Sequence, residues 1–221
     1  LMTEVAITGT LAMGMLLIIL PGHIDLSVGS GVGLLGGLAS VLVFHHQVPA
    51  PLALLIGLFA GVLIWLGMGT LIIRERIPAF IITLGGLLIF KGLFWKVINN
   101  TTVPVAPGGS SNFYSLLTTW YLPPALGLAL AALLSAIIAI TVYRSRNADG
   151  ESLFLKAFVA AQLIFLVVII ANQFRGIPLP ALILAAVTFV IHVLTRHTAF
   201  GRHLYAVGGN EEAAIVSGIP V

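Results

Sequence analysis

The stretch APLALLIGLFAGVLIWLGMGTLII, residues 50–73, runs without a charged group and is followed at once by Arg74-Glu75-Arg76. A bilayer's hydrocarbon core is about 30 Å thick, and about 20 apolar residues of helix cross it. Pro51 falls where a helix's first amides lack partners anyway, so it opens the helix rather than breaking it. Similar runs lie on both sides, at approximately 5–20, 25–44, 78–98, 121–143, 153–172 and 178–195. Breaks marked by Pro21-Gly22, Pro49-Ala50-Pro51, Pro78, Pro123-Pro124, Pro178 and Pro180 separate them. Composition agrees with this pattern. The 221 residues are 59% hydrophobic and only 8% charged, where a soluble domain carries about 25% charged residues. So few charges cannot coat a water-soluble globule, and the exterior must face lipid. The expected fold class is all-α: a polytopic integral membrane protein with about seven spans, forming one transmembrane domain over residues 1–221.

The net charge of +3 would point to nucleic acid in a soluble protein. Here the basic residues cluster at span ends, so they report topology and no nucleic-acid partner is expected. Lysine and arginine favour the cytoplasmic side. With Arg74 and Arg76 inside, Arg144, Arg146, Lys156, Arg196 and Arg202 also fall inside, and only Lys91, Lys96 and Arg175 fall outside. The loop 99–120 then lies outside, uncharged and rich in small polar residues such as Gly108, Gly109 and Ser110. The absence of cysteine excludes disulfides and cysteine-ligated metals. Leu1-Met2-Thr3-Glu4 carries no basic region or cleavage site, and a start within an apolar run predicts sequence before residue 1. The stop shortly after a polar stretch predicts more after residue 221.

In HIDLSVGSGVGLLGG, residues 23–37, Gly31-x-Gly33-x-x-Gly36 matches a dinucleotide-binding pattern on paper. That chemistry needs a preceding strand and an acid about 20 positions on. The segment reads as a membrane helix, and residues 50–56 contain no acid. Gly29, Gly33 and Gly37, spaced by four, instead read as a helix-packing stripe, since small residues let backbones approach in lipid. Asp25 is an acid at a span edge. It fits a helix N-cap, or alternatively a polar cavity or broken-helix junction, because charge within a bilayer is costly and tends to be functional. Lys91 lies inside span 78–98, within snorkelling reach of the surface or on a permeation path. Trp95, Trp120 and Tyr121 suit an outer aromatic belt.

No enzyme site assembles. The histidines at 23, 45, 46, 192, 197 and 203 lack metal-ligand spacing. Of the acids Glu4, Asp25, Glu75, Asp149, Glu151, Glu211 and Glu212, only Asp25 is near a hydrophobic helix core. Neither a catalytic group nor a metal is expected.

The chain's last stretch, GRHLYAVGGNEEAAIVSGI at 201–219, is polar where the rest is apolar. Asn210 reads as an N-cap, with Glu211 and Glu212 in a first turn that favours negative charge. Ala213 and Ala214 propagate a helix that Gly218 ends and Pro220 stops. Gly208-Gly209 reads as a sharp bend before it. A helix of two turns does not persist alone in water, so it packs on its own bundle, forms a structured loop between spans, or docks into a partner.

This stretch resembles the cytoplasmic coupling segment of permease subunits in bacterial ATP-binding-cassette importers of the ribose, galactose and xylose group. IDLSVGS at 24–30 resembles a second signature of that family, and IPAFIITLGGLLIFKGLFW at 77–95 is most similar to its xylose members. The resemblance covers nearly the whole chain in matching order. It implies a multi-pass protein of the bacterial inner membrane, with residues 201–219 as the cytoplasmic coupling segment. Gly208, Gly209, Asn210, Glu211, Glu212, Ala213, Ala214 and Gly218 would meet an ATPase. Cytoplasmic ATP-binding subunits, a periplasmic sugar-binding protein and a second permease subunit, the same chain in a homodimer, are implied partners. ATP and magnesium would be held by the ATPase, so no cofactor is expected in this chain. Ile215-Val216 stands where relatives carry a basic residue and leucine, which predicts a greasier docking face. Pro21-Gly22-His23 replaces a Thr-Gly-Gly or Thr-Gly-Asn lead-in. Asp25, Ser27, Ser30, Thr83, Lys91 and Asn99 are candidates for a path suited to hydroxyl-rich solutes. A secondary transporter or channel for small neutral solutes is the alternative, though such proteins need coupling acids or charged rings within their spans.

Overall fold

The computed structural model describes residues 1–106, 111–144 and 150–219. Readings that involve Gly108, Gly109, Ser110, Arg146, Asp149, Pro220 and the side chain of Glu151 fall outside them. Ten helices are described: α1 Met2–Ile19, α2 Val28–Phe44, α3 Ala50–Glu75, α4 Ala79–Val97, α5 Phe113–Thr119, α6 Pro124–Arg144, α7 Gly150–Asn172, α8 Leu179–His197, α9 Ala199–Gly209 and α10 Glu211–Val216. Two-residue strands β1 Tyr121–Leu122 and β2 Ile177–Pro178 pair antiparallel, tying the start of α6 to the start of α8.

Six of these helices are long and apolar enough to cross a membrane: α1, α3, α4, α6, α7 from Leu153, and α8. The seventh apolar run forms the shorter α2. The exterior is greasy, as lipid solvation demands; Phe59, Leu66, Leu88 and Phe189 are among many exposed large apolar side chains. The buried contacts combine alanines and other small residues with a few larger apolar side chains. Ala131, Val168, Ala171 and Ile177 pack where α6, α7 and β2 meet, and Val43, Ala50 and Ala53 pack beneath Tyr114 of α5. Burial raises the Tyr114 phenol above its ordinary pKa, because the anion loses its hydration there. The closest helix pairings are α2 with α4, α6 with α7, α1 with α8, and α2 with α3.

The glycine stripe on α2 is only partly as expected. A methyl group at Gly37 would press on Phe94 and Ile98, but at Gly29 or Gly33 it would meet nothing within 4 Å. Residues four apart drift about 40° per step around a 3.6-residue helix. The face that meets α4 therefore carries Gly37, while Gly29 and Gly33 rotate off it. The close approaches fall at Gly31 on Trp65, Gly61 on Leu35, and Gly86 on Ser27 and Met68.

The chain between α1 and α2 turns back on itself. Gly22, at φ +90°, ends α1; its N–H donates to the Ile19 carbonyl at 2.9 Å and that of His23 to Ile18 at 3.1 Å. This pairing closes a helix through a left-handed glycine. Residues 23–27 then run non-helically alongside α3 and α4 before α2 begins.

Candidate functional site

Two regions carry most of the residues singled out in the sequence. The first is the junction ahead of α2. Asp25 is only 7% exposed and Ser27 fully buried. Asp25 Oδ1 accepts from the Ser27 backbone N–H at 2.7 Å and from Ser27 Oγ at 2.6 Å. Its Oδ2 accepts from Trp65 Nε1 at 2.9 Å. Ser30 Oγ donates to the Ser27 carbonyl at 2.9 Å, and Thr83 Oγ1 to the Ile24 carbonyl at 3.3 Å. The N-cap reading of Asp25 is thereby corrected: Ser27 occupies the cap position, with no side-chain cap bond. The Asp25 carboxyl is already committed to an Asx turn and to an indole, so none of it is left for the first amides of α2.

The junction lies within the bundle, not at its edge. Trp65 is about 15 Å of helix from the end of α3, and Gly86, against Ser27, is about 10 Å from the start of α4. The run 25–44 is thus not one continuous helix. Its helix of 17 residues reaches only about 25 Å, and the non-helical lead-in makes up the remaining depth. Irregular backbone at membrane depth is tolerated where protein buries it or a cavity adjoins it. Both hold here: a cavity of about 280 Å³ is lined by Asp25, Trp65, Met68, Gly69 and Thr83 among others.

Asp25, Ser27, Ser30 and Thr83 therefore come together, while Lys91 and Asn99 do not join them. Lys91 is exposed on α4, about 12 Å of helix beyond Thr83. Asn99 is exposed in a left-handed turn just past α4, at φ 52°. Trp65 is the functional-looking residue that sequence reading missed. Its signal was position: tryptophan favours membrane interfaces, and an indole N–H in mid-span needs a partner.

The second region is the C-terminal segment. Thr198 Oγ1 accepts from the Gly201 N–H and donates to the Leu194 carbonyl, turning the chain from α8 into α9. Gly201 is required there, because a side chain would run into the Thr195 and Leu194 carbonyls. The expected bend at Gly208-Gly209 lies elsewhere: both glycines end α9, and the chain turns at Asn210, extended at φ −162°. Gly208 is needed for close approach, since a Cβ would collide with the Leu20 carbonyl at the end of α1. Asn210 Oδ1 accepts from the Ala213 N–H at 2.9 Å. At the other end Gly218 adopts φ +78°; its N–H donates to Ile215 at 2.9 Å and that of Ile219 to Ala214 at 3.0 Å. Both ends of α10 are thus closed by local bonds. Ala214 is buried, whereas Glu211, Glu212, Ile215 and Val216 are exposed, Val216 by 88%.

α10 sits at the Arg74–Arg76 end of the bundle. Glu211 shares a cleft of about 530 Å³ with Gly22, His23, Arg76 and Pro78. That is the end that carries the basic excess. Among the described residues, no three of His, Asp and Glu come together as metal ligands would.

A family model for the permease component of branched-chain amino acid transport systems matches residues 1–221. The chain belongs to this family. It is similar to the xylose transport system permease proteins of Haemophilus influenzae, at 34% identity, and of Escherichia coli K12, at 36%; all of this chain aligns, with 60% and 58% of theirs. A ribose import permease protein of Bacillus subtilis is 30% identical over all of this chain and 52% of its own length. No solved structure matches. The chain therefore spans somewhat more than half of these relatives. Family and fold agree: this is a polytopic α-helical protein of the inner membrane, in a family of transport permease components.

Proposed function

We propose that the chain is part of the transmembrane subunit of an ATP-driven sugar importer, with D-xylose or a related pentose as its substrate. The observation that carries this reading is α10: a two-turn helix closed at both ends, exposed on its outward side, at the basic end of the bundle. A helix so short gains little from its own backbone bonds. It is held on one side by Ala214 and offers Glu211, Glu212, Ile215 and Val216 to a soluble neighbour. Cytoplasmic ATPase subunits are that neighbour. Closure of two ATPases draws paired coupling helices together, two such bundles rock, and a path between them alternates its access. The driving difference between the two states comes from ATP, bound with magnesium in the ATPase. A periplasmic binding protein delivers the sugar, and the path needs only weak contacts from hydroxyl and amide groups.

The xylose assignment rests on the similarity to xylose permeases over the whole chain. Ion-coupled transport is less well supported, because both Asp25 oxygens are already occupied by Ser27 and Trp65. The test is uptake of labelled D-xylose into proteoliposomes that hold the full-length permease. Uptake should require ATP, the ATPase and the binding protein together. Uptake driven by an ion gradient, without ATP, would overturn the importer reading and favour a secondary transporter.

A further inference from the structure

The two regions described above are joined by one short piece of chain. At its start the loop 20–27 is packed backbone to backbone against α9: Gly208 lies against the Leu20 carbonyl and Pro21 Cα. Gly22 and His23 line the cleft that also contains Glu211. At its far end the same loop is pinned to the membrane helices. Ile24 accepts from Thr83 of α4, Asp25 accepts from Trp65 of α3, and Ser27 lies against Gly86 of α4. The cleft beside Glu211 and the cavity beside Asp25 share His23, Ile24, Ile72, Ile73 and Ala79 as walls. The closest packing of α10 is with α9. A displacement of α10 therefore bears on α9 and, across the cleft beside Glu211, on loop 20–27 and the α3–α4 turn.

We propose that loop 20–27 transmits movement of α9–α10 to α2, α3 and α4, and that the Asp25–Trp65 hydrogen bond is the link that makes them move together. This rests on the reading of α10 as the ATPase-docking helix. The physical reason lies in the surroundings of the bond. A buried polar group that loses its partner bears the full cost of desolvation. The cavity beside Asp25 is walled mainly by apolar side chains, so the indole N–H and the carboxyl travel as a unit. α2 begins three residues beyond Asp25, and a shift of Asp25 is a shift of the start of α2. Asp25 and Trp65 are positioning residues in this scheme; neither needs to touch the sugar.

Two substitutions remove the link while keeping its shape. Trp65→Phe keeps an aromatic ring beside Gly31 and Phe90 but has no N–H to donate. Asp25→Asn keeps the side-chain outline but loses one acceptor oxygen. Both are made in the full-length permease, assembled with its ATPase and binding protein in proteoliposomes, and compared at equal amounts of assembled complex. A variant that folds poorly then shows as lower yield, not as lower uptake per complex. Coupling interactions of ordinary size change a linked equilibrium about 5- to 150-fold. Uptake per complex is expected to fall at least about fivefold, while ATPase binding and ATP hydrolysis persist. Uptake unchanged in both variants would overturn the proposal. So would hydrolysis falling in step with uptake, which marks a general structural role. Failure of the unsubstituted permease to retain the ATPase would bring down the importer reading, and the link with it.

Discussion

Asp25 shows how a single residue can be read correctly in kind and wrongly in role. Its type and its place before an apolar run marked it as either a cap or a junction group, and only the position of Trp65, forty residues away, decides between them. That contact leaves no trace in local sequence. Glycine is similar: spacing by four identified small residues, but which of them meet a neighbour depends on how helices cross. Two outcomes follow. Gly31→Val should force the Trp65 ring aside, and overpacking of this kind costs about 1–3 kcal/mol. Thermal unfolding in detergent checks this as a lowered midpoint. Gly29→Val and Gly33→Val should leave that midpoint unchanged, because nothing lies within 4 Å of either position.

At the scale of elements, the seven apolar runs were legible because length and polarity alone define a membrane helix. Their ends were less so. α2 starts later than its apolar run, since hydropathy does not register a buried turn of backbone satisfied by Asp25 and Ser27. α9 was not expected as a separate helix, because its glycines suggested a bend; the structure uses Gly201 and Gly208 for close contact instead. α10 was legible in detail, from Asn210 at its start to Gly218 at its end, because capping is local chemistry written in adjacent residues. Asn210→Ala should remove the bond to Ala213 and cost about 1 kcal/mol of helix stability. Faster amide exchange in residues 211–216 measures it. Gly218→Ala should have a similar effect, since a side chain at positive φ is strained by about 1 kcal/mol.

For the whole molecule, the charge pattern and the fold agree on which segments share one end. The Arg74–Arg76 turn, the end of α1 and α10 share one end of the bundle, and the β1–β2 pair closes the other. Large apolar side chains are abundant on the outside, where a soluble protein carries charge. These 221 residues hold no cysteine, so a single cysteine placed among them reports position cleanly once any cysteine elsewhere in the full-length permease is replaced. One at Thr101 should react with an impermeant maleimide from the outer side only. The most direct measurement places a cysteine at Val216 in the full-length permease, within inside-out vesicles stripped of ATPase. Rapid labelling by the impermeant reagent, and protection when the ATPase is added back, is the expected result. Labelling only from the outer face, or labelling that the ATPase leaves unchanged, would contradict the role assigned to α10.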